Sequence, residues 1–204
     1  MRRKRRKPLT QKQKLLSFIG LLLVIDVIVC LIWWNRGNES RFDPQILNAA
    51  RQYDIDPALV KAVIWQESRF KPDAVGTVGE IGLMQIRPLT AQEWRTDNKI
   101  AAFPDNHLFN PQTNIFIGAW YLKKMLKRYS NTDDPLPYAL CDYNAGRRKV
   151  LEWASGSAST NSAEFMDRIT YPTTKKYVQN VKQKSKYYSR RSWKRSSLPG
   201  GSVF

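Results

Sequence analysis

Histidine and cysteine are nearly missing from this 204-residue chain, which has a single His107 and two cysteines, Cys30 and Cys141. His107, in "PDNHLFN", lacks the company of other ligands that a metal site needs. Cys30 falls in an apolar run and Cys141 in the domain beyond it, so a disulfide between them is not expected. No glycine-rich loop of the phosphate-cradling kind and no paired-cysteine motif occurs. The expectation is a protein without metal or cofactor. Acidic residues are also missing where they matter for charge. Residues 1–14 hold 8 basic side chains and no acidic one, and the chain after Asp167 holds 10 basic and no acidic one. That leaves 16 basic against 17 acidic side chains for residues 15–167. The net charge of +17 is therefore a property of the two ends. A basic catalytic groove for nucleic acid is not supported, and no nucleic-acid partner is expected.

What is present at the N-terminus is a long apolar run. "MRRKRRK" precedes "LLSFIGLLLVIDVIVCLIWW", residues 15–34, whose only charge is Asp26. About 20 apolar residues match the thickness of a bilayer. The basic cluster before the run predicts that residues 1–14 stay cytoplasmic, with Trp33 and Trp34 at the opposite interface. Asp26 opposes insertion by roughly 3 kcal/mol, which the Leu, Ile and Val residues outweigh. It is also a candidate for a partner helix. No small-x-small cleavage site follows the run, so an uncleaved anchor is expected rather than a signal peptide. Residues 35–42 read as a linker, and the domain beyond them is expected outside the cytoplasm.

Helix punctuation then recurs. "DPQILNAARQYD", "DPALVKAVIWQES" and "NPQTNIFIGAWYLKKMLKRYS" each place Asp43, Asp56 or Asn110 as a candidate N-cap before Pro44, Pro57 or Pro111. Ile115, Ala119, Leu122, Met125 and Tyr129 form a stripe at helical spacing. "LPYALCDYNAGRRKVLEW" reads as two short helices broken at Gly146. Thr173 to about Arg191 reads as a basic terminal helix, and the end after Arg191 as disordered. Between the second and third helical words, "KPDAVGTVGEIGLMQI" carries Gly76, Gly79 and Gly82 three residues apart, which suits turns or a small β-hairpin. Trp65, Trp120 and Trp153 are expected in the core or in a groove wall.

One residue stands against its pattern. In "AVIWQESRF", Glu67 shares a helix face with Val60, Val63 and Ile64. Desolvation by that stripe and the negative end of the helix both favour a protonated carboxyl. A neutral acid in an apolar cleft is what cleavage of a glycosidic bond needs at the leaving oxygen. The plain alternative is a glutamate that turns outward at the helix end and pairs with Arg69 or Lys71.

The words around Glu67 favour chemistry. "ESRFKPDAVGTVGEIGLMQI" followed by "YALCDYNAG" resembles the soluble-Slt type of lytic transglycosylase, in the lysozyme-like superfamily. The resemblance covers roughly residues 43–182. It implies an α+β, mainly α-helical lysozyme-like domain with a small glycine-rich β-hairpin region, preceded here by one transmembrane helix. It implies Glu67 as the catalytic acid/base in the Glu-Ser pair with Ser68. It matches Gly82, Leu83, Met84 and Gln85 to one family motif and Tyr143, Asn144, Ala145 and Gly146 to another. Tyr171, before Tyr177 and Val178, matches a later tyrosine. Gln85 is then expected to bond sugar amides or hydroxyls, and Met84 to lie beneath the cleft near substrate. Tyr143 and Asn144 would position Glu67 and the sugar, and Tyr171 would bond Glu67 or the ring. The implied reaction cuts peptidoglycan between N-acetylmuramic acid and N-acetylglucosamine without water. The muramic 6-hydroxyl closes on C1 to give a 1,6-anhydro end, proximity replacing an activated water.

Five departures from that pattern stand out: Gly76 for a serine, Glu80 for a small residue, Thr173 for a glutamate, and Asp142 and Arg147 around the Tyr-Asn-Ala-Gly segment. They leave two rivals open. One is a hydrolytic muramidase in which Glu80 or Asp73 faces Glu67 and activates water. The other is a non-catalytic glycan-binding scaffold. The implied partners are glycan strands of peptidoglycan and the inner membrane, entered by a single span with the domain in the periplasm. The basic residues of the tail, 183–204, with those just before it, are candidates for anionic lipid or wall polymer, at about 1 kcal/mol per charge near a membrane. A solvated tail is the alternative.

Overall fold

The computed structural model describes residues 10–101 and 104–190, which form two separate units, one ending at Arg41 and one beginning at Phe42. The first unit contains α1 (Gln11–Ser40), opened by a capping box in which Thr10 and Gln13 bond each other's backbone. Its described apolar side chains from Phe18 to Val29 are exposed. Among the described residues no helix is long and apolar enough to cross a membrane. The span expected over 15–34 thus falls on a helix, though not on a described stretch meeting the requirements of a crossing. The side chains of Cys30, Trp33 and Trp34 lie outside the described residues, as do both charged ends, 1–9 and 191–204.

The second unit is helical. Its elements are α2 (Asp43–Gln52), α3 (Pro57–Ser68), α4 (Pro88–Asn98), α5 (Pro111–Arg128), α6 (Pro135–Ala145), α7 (Arg147–Trp153), α8 (Ser162–Arg168) and α9 (Pro172–Arg190), with two short 3-10 turns. Proline opens α3, α5 and α6, where its missing N–H costs nothing. Asp56 accepts from Ala58 N at 2.8 Å and Asn110 from Thr113 N at 3.2 Å, so both cap their helices. Asp43 does not cap. It is the first residue of α2, and its carboxylate is 2.6 Å from the ammonium of buried Lys61 on α3. A charge that would otherwise be buried alone outcompetes a cap for that carboxylate.

The core lies around α3 and α5. Ala58 to Ile64 are all buried on α3, which packs chiefly on α9. Ile115, Ala119, Leu122, Met125 and Tyr129 are buried along α5, which packs on α6 and α2. α6 and α7 meet at Gly146, whose φ of 83° ends the first helix.

The glycine-rich segment forms no strand among the described residues, in place of the expected hairpin. It makes two isolated antiparallel bridges, Val75 to Ile81 and Ile81 to Ile86. Gly79, Gly82 and Gln85 have φ of 91°, 77° and 50°, so a left-handed residue recurs every third position and the chain turns between the bridged residues. The C-terminal boundary also moves. α9 runs on to Arg190 with Tyr188 buried, so residues 183–190 belong to the domain rather than to a tail. Several basic residues of α9 are engaged: Lys182 with Asp134 at 2.9 Å, and Lys184 over the rings of Trp65 and Tyr188.

Candidate active site

Glu67 is the last residue but one of α3, half-buried at the rim of a cleft of about 490 Å³. The chain leaves α3 sharply because Arg69 and Phe70 are both left-handed, with φ of 53° and 62°. Arg69 folds back over the ring of Trp65 at 3.3 Å. The carboxyl of Glu67 turns the other way and accepts a hydrogen bond of 2.6 Å from the Tyr177 hydroxyl on α9. The outward alternative is therefore not the one adopted.

Burial pushes the Glu67 carboxyl up to about 7. The Tyr177 hydrogen bond works against that rise, and the charge of Glu80 adds to it. Burial also raises the phenols of Tyr143 and Tyr177 well above their ordinary range, with the charge of Glu67 adding to each. Near neutral pH both phenols are therefore donors, and Glu67 is poised between acid and base. Because the Tyr177 bond favours the ionised carboxylate, Tyr177→Phe is expected to move the titration of Glu67 further upward from about 7. Carbonyl NMR of labelled glutamate would read it, and an unmoved midpoint would show that the bond carries no weight.

The residues brought to the cleft with Glu67 include Gln85, Tyr143 and Asn144. Tyr143 donates to Met84 O at 2.8 Å. Asn144 is exposed, and its side-chain oxygen accepts from Thr174 at 2.8 Å, which leaves its amide N–H groups available as donors. Gln85 spends its amide donors on Ala74 O at 3.2 Å and Gly82 O at 2.9 Å. What Gln85 offers a ligand is thus its carbonyl oxygen, an acceptor.

Ser68, Met84 and Tyr171 are not part of the cleft lining. Ser68 is buried and bonds Leu83 O at 2.8 Å, tying the end of α3 to the glycine-rich loop. Met84 is fully buried against Gly118, where any Cβ would overlap it. Tyr171 is 41% exposed and stands edge-on to Trp153 at 5.4 Å, so the tyrosine bonded to Glu67 is Tyr177, six residues later. The Tyr-Val pair carried the signal that would have selected Tyr177.

Asn114 gave no sequence signal beyond its place in "NPQTN". It is fully buried on α5, accepts from Met84 N at 2.8 Å, and donates to Ile81 O at 2.8 Å and Leu108 O at 2.7 Å. Gly82 allows this approach, since a Cβ there would overlap the Asn114 amide. Asp142, beside Tyr143, is held by Arg128 at 2.6 Å and Tyr129 at 2.7 Å, so this departure from the family pattern anchors α6 to α5.

A half-buried acid with a tyrosine donor, set between two helices and a turn-rich loop, can protonate a leaving oxygen and take a proton back. The transglycosylase SLT domain matches residues 44–166, and the chain belongs to that family. It is 34% identical over 143 residues to the soluble lytic murein transglycosylase of Salmonella typhimurium, covering 68% of this chain and 21% of that protein. It is 37% identical over 115 residues to membrane-bound lytic murein transglycosylase F of Desulfosudis oleivorans, covering 55% of this chain and 23% of that protein. An inactive variant of lytic transglycosylase Slt from Pseudomonas aeruginosa superposes with a TM-score of 0.67 at 28% identity, over 72% of this chain and 24% of the other. The chain thus spans less than a quarter of the length of these relatives.

Proposed function

We propose that this chain is a membrane-anchored peptidoglycan lytic transglycosylase using Glu67 as its single acid/base. The observation that carries the reading is the half-buried Glu67 carboxyl, raised to about 7, bonded to Tyr177 and opening on the cleft of Gln85, Tyr143 and Asn144. Protonated Glu67 gives its proton to the oxygen linking C1 of N-acetylmuramic acid to N-acetylglucosamine, and the C1–O bond breaks. Ionised Glu67 then takes the proton of the muramic 6-hydroxyl as that oxygen bonds to C1. Atoms balance without water, and the product ends in a 1,6-anhydro sugar. A carboxyl titrating near 7 suits both halves, since it gives and receives the same proton at neutral pH.

Gln85 is assigned to accept from a sugar hydroxyl or amide N–H, and Asn144 to donate to a sugar oxygen. Ser68 and Met84 act indirectly, by holding the loop that carries Gln85. The apolar run 15–34 and the basic residues before it support the anchor, with the domain on the periplasmic side. The full chain, purified in detergent, should release muropeptides with anhydro ends from purified peptidoglycan, read by mass spectrometry. Binding without any cleavage would favour a glycan-binding scaffold and overturn the reading.

A further inference from the structure

Gly76 and Glu80, two departures from the family pattern, are one arrangement in three dimensions. A Cβ built on Gly76 would overlap the Glu80 carboxylate and lie 2.8 Å from the Gln85 side-chain oxygen. The missing side chain at position 76 is thus the space into which the Glu80 carboxylate fits. The backbone fixes the two residues together, since Gly76 N donates to Glu80 O at 2.7 Å. Glu80 and Gln85 both line the cleft that holds Glu67, whereas Asp73 is exposed and does not line it.

The wall beside Gly76 is therefore built of acceptors. Among the described residues the Gln85 oxygen accepts no hydrogen bond, while its amide donors are held by Ala74 O and Gly82 O. The Glu80 carboxylate receives one long bond, 3.3 Å from Val78 N, which leaves most of its acceptor capacity unused. Two acceptors meeting at one point can take both hydrogens of a single water and leave its lone pair free. Only one of the two, the carboxylate, can also remove a proton.

We propose that Glu80 is the base of a second, hydrolytic outcome at this cleft, in which water takes C1 in place of the muramic 6-hydroxyl. This rests on the assignment of Glu67 as the acid. The C1–O bond breaks as Glu67 gives its proton to the leaving oxygen. The water oxygen bonds to C1, and its proton passes to Glu80. Solvent then returns that proton to Glu67, one water is consumed, and the product is a reducing end. The negative charge of Glu80 supports the same step from the other side, because it helps hold the proton on Glu67.

The test is digestion of purified peptidoglycan by the full chain in heavy-oxygen water. Reducing ends made by hydrolysis carry the heavy oxygen, ends already present do not, and a digest without enzyme corrects for exchange. The expected result is a mixture of anhydro ends and labelled reducing ends. Glu80→Gln keeps the shape and loses the base, and should lower the ratio of labelled to anhydro ends by about tenfold or more. Gly76→Ser should act in the same direction without altering Glu80, by pushing its carboxylate aside. Anhydro ends alone from the unaltered chain would overturn the proposal and leave the transglycosylase reading standing. An unchanged ratio in either folded variant would also overturn it. No cleavage of any kind would remove both.

Discussion

Glu67→Gln is expected to cut product formation severely while leaving the domain folded and, above neutral pH, more stable. A glutamine fits the same space and can still accept from Tyr177, but it has no proton to give. The loss should be about 100- to 10,000-fold in turnover, the usual worth of a positioned acid. The pH dependence follows from the raised carboxyl. Transfer to the leaving oxygen needs the protonated form, so the rate should fall as pH rises through about 7. The same group burdens the fold. Below pH about 4.5 it is protonated in both the folded and unfolded states and costs nothing. Between about 4.5 and 7 the unfolded chain ionises while the folded one keeps its proton, so stability declines by roughly 1.4 kcal/mol per unit. Above 7 the penalty is constant at about 3 kcal/mol. Denaturant unfolding of both forms at pH 4.5 and pH 8 should show the glutamine variant gaining stability only at the higher pH. Equal gains at both would detach the effect from ionisation.

Asn114→Ala should have the largest effect on stability, about 3–5 kcal/mol by urea unfolding. It leaves the N–H of Met84 and the carbonyls of Ile81 and Leu108 without their partner in the interior, at about 1–3 kcal/mol for each unsatisfied group. Asn114→Asp would keep an acceptor for Met84 but lose both donors, so it should be damaging as well. Turnover should fall with stability, because the loop that Asn114 holds carries Gln85. A loss under about 1 kcal/mol would mean that the tertiary contacts of Leu83 and Met84 hold the loop unaided.

The helices were legible in the sequence because their signals are local. Asp56-Pro57 and Asn110-Pro111 mark helix starts within two residues, and Gly146 marks a break by its own backbone angle. Asp43 misled, since its choice of partner depends on Lys61, 18 residues away and buried. The glycine spacing was visible, but whether it gives a hairpin or successive turns depends on Gln85 adopting a left-handed angle, which its residue type does not announce. Glu67 was legible from its apolar face. Its partner was legible only through the Tyr-Val pair at Tyr177 and Val178; Tyr171 and Tyr177 are the same residue type, and the packing of α9 on α3 decides between them. Asn114 was invisible for a similar reason: its three bonds reach residues 6, 30 and 33 positions away.

The position of Tyr177 bears on how the protein tolerates change at its C-terminal side. The hydroxyl that holds the acid sits on a helix whose later turns are pinned by Val181 and Tyr188. Shortening that helix from its far end is therefore expected to loosen the Tyr177–Glu67 bond without removing any residue that lines the cleft. A shortened form that retains this bond is expected to need the helix through Arg190, which places fusions at this end after that turn.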